Sequence, residues 1–101
     1  MATTTSKSLF RGAAALTSQT LYTTPASTTT IVTNIAVTNT ASSAATFTIG
    51  LNGTSLFTTT AIAANSTAFI DLKQVLSATQ TITGLASAIT VNFHIAGVEL
   101  A

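Results

Sequence analysis

Hydrophobic and polar residues alternate along the chain in four runs. Residues 31–38 place Ile31, Thr33, Ile35 and Val37 on one face and Val32, Asn34, Ala36 and Thr38 on the other. Residues 46–51 turn Phe47, Ile49 and Leu51 one way and Thr46, Thr48 and Gly50 the other. Residues 67–72 set Ala68, Ile70 and Leu72 against Thr67, Phe69 and Asp71, and residues 89–96 set Ile89, Val91, Phe93 and Ile95 against Thr90, Asn92, His94 and Ala96. Successive side chains of a strand point to opposite faces, so alternation in Thr-, Ile- and Val-rich runs predicts half-buried β-strands. After Gly97 the phase slips, because Val98 and Leu100 fall on even positions. One inserted residue does this, which predicts a β-bulge near Ala96-Gly97.

Turn signals separate the runs: Pro25-Ala26-Ser27, Thr40 to Ala45, Asn52-Gly53, Ala63 to Ser66, and Ser77 to Gln80. Asn-Gly accepts positive φ at both centres of a type I′ turn, so Asn52-Gly53 predicts a two-residue hairpin joining 47–51 to 55–59. Pro25 restricts its strand to an edge or a start. Val75 to Ser77 has the composition for one helical turn. About seven short strands with turns every 8–12 residues predict an all-β fold, an antiparallel β-sandwich of jelly-roll or immunoglobulin-like type. Residues 1–19 differ, with Lys7, Arg11 and the run Gly12-Ala13-Ala14-Ala15-Leu16. They are expected to form an extended N-terminal arm beside a sandwich domain of residues 20–101. A transit-type targeting peptide is the competing expectation for that segment.

Composition changes this picture in one respect. Of 101 residues only Lys7, Arg11, Asp71, Lys73 and Glu99 are charged, and residues 12–70 contain none of them. An ordinary soluble domain is about 25% charged. Three basic residues are too few for a phosphate-binding surface or a basic membrane patch, so neither nucleic acid nor membrane is an expected partner. Thr, Ser or Asn interrupts every apolar stretch before the roughly 20 residues that a membrane-spanning helix requires. Sheet edges are usually blunted by charge, especially Lys. A chain with so little charge is expected to be covered by neighbours, as an assembly subunit.

No chemistry-bearing motif stands out. Asp71 and Glu99 are the sole carboxylates, and a carbohydrate-acting enzyme would need them about 5–9.5 Å apart as an acid/base pair. His94 is the single histidine and there is no cysteine, so a structural zinc site cannot be assembled. Nucleophile-elbow and glycine-rich phosphate motifs are absent. The expectation is no catalytic, cofactor-binding or metal site. The sequons Asn52-Gly53-Thr54 and Asn65-Ser66-Thr67 and the Thr-x-Thr triplets are as expected by chance in a chain with 24 Thr residues. Ladders of Thr on a flat sheet face mark some ice-binding proteins, but no fixed repeat period supports that here.

The stretch from Thr20 to Leu100 resembles small virion proteins of tailed bacteriophages. The resemblance is carried by Leu21-Tyr22-Thr23-Thr24-Pro25-Ala26, by Ile31 to Thr40, and by Ala44-Ala45-Thr46-Phe47-Thr48 with Leu51-Asn52-Gly53. Ala63-Ala64-Asn65-Ser66 and the closing run Val91 to Glu99 complete it. Ser27, where a Gly often follows Pro-Ala, and Ala78-Thr79-Gln80, in place of a Gly-containing turn, depart from the pattern. The resemblance implies a β-sandwich capsid decoration or tail-associated protein with no catalytic residues. The function expected is that of a capsid decoration (cement) protein on the outer surface of the virion, made in the host cytoplasm. Its expected partners are the major capsid protein or another virion protein, and further copies of itself, as a homo-oligomer, with a trimer as the expected form. A tail or head-fibre module for host attachment is the alternative, and the Asp71/Glu99 enzyme a remote one.

Overall fold

A computed structural model describes residues 4–101. Eight strands follow one another: β1 Thr4–Ala13, β2 Gln19–Thr23, β3 Thr29–Asn39, β4 Ala45–Leu51, β5 Thr54–Ile62, β6 Ser66–Leu76, β7 Thr81–Ala86 and β8 Val91–Leu100. They pair as nested antiparallel partners, β1 with β8, β2 with β7, β3 with β6 and β4 with β5. The chain is therefore one long hairpin whose tip is Asn52-Gly53. Both tip residues have positive φ, 50° and 79°, as the type I′ expectation requires. Pairing of β3 with β8 and of β4 with β7 rolls this hairpin into two four-stranded sheets. Sheet A has the order β1-β8-β3-β6 and sheet B the order β2-β7-β4-β5. Of the two sandwich types expected, this is the jelly roll.

The strand beyond the expected seven comes from the segment expected to form an arm. Residues 1–3 lie outside the described residues, but Thr4–Ala13 pairs along β8 as an edge of sheet A. Leu9 and Ala14 enter the core. The alternation is obscured because Leu9 is an extra residue between Ser8 and Phe10 in the register with β8. Leu9 is buried and its neighbour Phe10 also packs on the core, so no period-two signal survives there.

The phase slip expected at Ala96-Gly97 has its origin in the partner strands. Between Ala96 and Gly97 the register shifts past Thr33 on β3, and between Ile95 and Ala96 it shifts past Leu9 on β1. β8 itself keeps its alternation, with Val91, Phe93, Ile95 and Gly97 buried. The bulge at Thr33 reverses the phase of β3, so that Val32 and Ile35 are both fully buried and Ile31 is not. Of the face expected from Ile31, Thr33, Ile35 and Val37, only Ile35 and Val37 point into the core. Gly97 is required at the bulge: a Cβ there would collide with the Ile31 carbonyl oxygen and lie 2.9 Å from Leu9 Cδ1.

Two smaller expectations also change. Val75 and Leu76 continue β6 rather than forming a helical turn. Ile89 lies in the loop before β8 and is exposed. At the core centre, Phe47 packs against Phe57 at 5.9 Å and against Phe93 at 6.2 Å, tilted and edge-on, geometries that aromatic quadrupoles favour. Asn39, 0% exposed, ties together the loops at one end of the sandwich. Its Nδ2 donates to the carbonyls of Ser43 (2.8 Å) and Ala63 (3.4 Å), and its Oδ1 accepts from Ala41 N (3.1 Å) and Thr90 Oγ1 (3.2 Å).

Candidate interaction surface

Charge is partitioned between the sheets. Lys7 and Arg11 lie on β1, Asp71 and Lys73 on β6, and Glu99 on β8, all strands of sheet A. His94 is on β8 as well. Sheet B (β2, β4, β5, β7) carries no Lys, Arg, Asp, Glu or His. Thr46 and Thr48 of β4 and Thr81 and Thr83 of β7 alternate with buried core residues, so they face outward. The loops at the Asn39 end, residues 14–18, 40–44, 63–65 and 87–90, are uncharged too. There Leu16 and Ile89 are exposed on loops that bond to neighbouring backbone, Ala14 N to Val91 O and Ala86 N to Ala15 O.

The edges are guarded differently from the sequence expectation. Each of the four edge strands carries a register shift: at Leu9 in β1, at Leu21 in β2, around Leu56 and Thr58-Thr59 in β5, and at Leu72-Lys73 in β6. Bulges twist an edge out of register with an incoming strand. The edges of sheet A add charge to this, and those of sheet B do not. The uncharged surface open to a partner is therefore chiefly a matter of faces and loop ends.

Two adjacent rows cross the outer face of sheet A. In one, Arg11 lies opposite His94, His94 opposite Ala36, and Ala36 opposite Phe69. In the next, Ser8, Ala96, Asn34 and Asp71 align in the same strand order. Asn34 Nδ2 donates to Asp71 Oδ1 at 3.1 Å. Phe69 is 76% exposed, the largest exposed apolar side chain. A shallow groove of about 550 Å³ runs over Ser6, Ser8, Ala96 and Val98, walled by Arg11 and His94.

Glu99 faces the other way. It lies on the inner side of β8, where Tyr22 of β2 donates a short hydrogen bond to Oε2 and Lys7 Nζ stands 3.4 Å away. Tyr22 Oη also pairs with Thr30 Oγ1 at 2.8 Å, so this cluster ties sheet B to sheet A. The hydrogen bond from Tyr22, reinforced by Lys7, holds the Glu99 carboxyl below its ordinary range. Burial, and then the carboxylate beside it, push the Tyr22 phenol up. Asp71 and Glu99 thus occupy opposite faces of sheet A. Two strand spacings and three residues of rise separate their backbones by about 14 Å, outside the acid/base window. A general acid also needs a raised carboxyl pKa, and that of Glu99 is lowered. His94 has Arg11 opposite it, and among the described residues no three His, Cys, Asp or Glu side chains are grouped to hold a metal.

No protein-family model matches the chain, and no curated protein sequence matches it. Its fold does match solved structures. A chain of the viral particle of infectious bursal disease virus superposes with a TM-score of 0.59 at 8% identity, over 98% of this chain and 30% of that one. The Gx strain of infectious bursal disease virus gives a TM-score of 0.55 at 9% identity, over 98% and 31%. A pentameric capsid protein isolated from metagenomic phage sequences gives a TM-score of 0.38 at 14% identity, over 97% and 59%. The chain spans about a third of the length of the two viral-particle chains. What those two chains share with this one at such identities is the fold alone.

Proposed function

We propose that this chain is a non-enzymatic structural subunit of a virus particle, a decoration protein on the outside of a bacteriophage head. The observation that carries the proposal is the partition of charge: one whole sheet and one loop end of a jelly roll are free of Lys, Arg, Asp, Glu and His. Burying Thr, Ser, Ala and Gly against a neighbour avoids the desolvation of charge, and the hydroxyls can exchange water for hydrogen bonds to that neighbour. The jelly roll is a frequent architecture of capsid domains, and virus-particle chains share it here. Fold alone does not assign function, so the charge partition bears the weight.

In this reading the uncharged loop end of the sandwich stands on the major capsid protein, and the charge-free face of sheet B lies against a neighbouring virion subunit, so that the chain bridges capsomers. Internal pressure is then shared over buried interfaces. Copies of the chain associate with one another, with trimers as the expected form in the lattice. Synthesis is in the host cytoplasm and the final location is the outer capsid surface. A tail or head-fibre module is the alternative, favoured by the elongated 49 × 21 × 18 Å shape. Copy number on purified particles separates the two. Decoration requires the chain in proportion to the major capsid protein, whereas a fibre module occurs in a few copies. Absence of the chain from purified particles removes both.

A further inference from the structure

The outer face of sheet A has the features of a surface made to meet itself. Its β1 side is recessed and cationic, with Arg11 beside the groove over Ser8 and Ala96. Its β6 side projects Phe69 and carries Asp71. Between them Ala36, 8% exposed, leaves a dent next to His94. We propose that this face packs against the same face of a second copy, about a two-fold axis parallel to the strands.

With the strand order β1-β8-β3-β6, that rotation lays β1 over β6 of the partner and β8 over the partner's β3. Rows keep their level along the strands. Arg11 therefore meets Phe69 of the partner subunit in its own row, and Asp71 of the partner subunit in the next, about 7 Å along the strand. A guanidinium both stacks on an aromatic face and pairs with a carboxylate. Phe69 lies over the partner's Arg11 at the wall of the partner's groove, and His94 stands over the partner's Ala36. Each contact occurs twice, as an isologous interface requires. Aromatic residues and Arg are the side chains that dominate interface energetics.

Size agrees as well. Four strands about 4.8 Å apart, with about 3.3 Å of rise over ten residues, give a face of about 600 Å², so about 1,200 Å² is covered over both copies, the lower end for a specific interface. Among possible occupants, the second copy already presents an aromatic face opposite the cation and a carboxylate in the next row. The chain's other carboxylate, Glu99, is engaged inside by Tyr22 and Lys7.

This deepens the assembly-subunit reading by naming one of its surfaces, and the test uses the purified chain without particles. Failure here therefore leaves particle binding to be decided separately. Sedimentation velocity over a concentration series follows self-association of the wild type, Phe69→Ser, Arg11→Asp and the exchange Arg11→Asp with Asp71→Arg. These positions point outward, and thermal melts confirm that each variant is folded. Phe69→Ser and Arg11→Asp are each expected to weaken the association by roughly 30-fold or more. The charge exchange is expected to recover the ion-pair part of the loss from Arg11→Asp but not the stacking on Phe69, a partial recovery that a general surface effect would not give. Association unchanged in both single variants places the interface elsewhere and overturns the proposal. So does an exchange that recovers nothing, or a wild-type chain that shows no association up to about 1 mM.

Discussion

Replacing Asn39 by aspartate changes hydrogen-bonding chemistry with almost no change in volume. Nδ2 of Asn39 faces two carbonyls and Oδ1 faces two donors, so the amide has one workable orientation. An ionised aspartate in its place keeps the acceptor side and loses both donors. The carbonyls of Ser43 and Ala63 then lose their donor, together at about 2–3 kcal/mol, and a carboxylate that is itself fully buried faces them. Such a group resists ionisation, so its pKa in the folded state is raised above the unfolded one. By linkage the variant's relative stability is highest in acid and falls as pH rises through the interval between those two values. At pH 3 the neutral carboxyl retains one O–H donor, and a loss of about 1 kcal/mol is expected from Asn39→Asp. At pH 7 the expected loss is about 3–4 kcal/mol. For a domain of this size that lowers Tm by roughly 12–30 °C. Urea unfolding of wild type and variant at both pH values gives the difference directly. Equal losses at pH 3 and pH 7 would refute the proposed environment of Asn39.

Further outcomes follow from particular contacts. Thr24 Oγ1 is buried and has no partner among the described residues, so Thr24→Val is expected to raise stability by about 1 kcal/mol in a urea melt. Tyr22 is the single tyrosine, so phenolate absorbance reports it alone; its titration lies above the ordinary tyrosine range and is expected to move down in Glu99→Gln. Glu99, held below its ordinary range, contributes stability that is present above the unfolded carboxyl pKa and lost as pH falls through the folded one, and Glu99→Gln is expected to remove that contribution. Deleting residues 2–13 takes away β1, removes Leu9 from the core and opens the β8 edge, at an expected loss of about 4 kcal/mol or more. A deletion with undiminished Tm would show that β1 adds nothing to the sandwich.

Strands that hold no extra residue of their own are legible from alternation. β4 and its Asn52-Gly53 tip appear as read, because Phe47 and Ile49 are buried on one face and the turn residues take positive φ. β8 is legible in phase, with Val91, Phe93 and Ile95 buried as read, whereas β3 is legible as a strand but not in phase, since Thr33 is an extra residue within it. β1 is hidden because Leu9 and Phe10 both turn inward across a bulge, leaving Lys7 and Arg11 as the visible signal. Low charge is plain in the sequence, but its partition is not. Residues 7, 11, 71, 73 and 99 are far apart in the chain and fall on one sheet only because the jelly roll places β1, β6 and β8 together. The Glu99 cluster is equally hidden, as nothing local links Tyr22 to a residue on the closing strand.

A contact made through uncharged side chains is insensitive to ionic strength, whereas one made through surface ion pairs is screened within about 10 Å at 0.1 M salt. Rebinding of the purified chain to particles stripped of it, followed as occupancy against NaCl, therefore tests the central proposal most directly. Occupancy is expected to hold nearly constant between about 50 and 500 mM NaCl. A tenfold or greater fall in affinity over that range would contradict docking through the charge-free side of the sandwich.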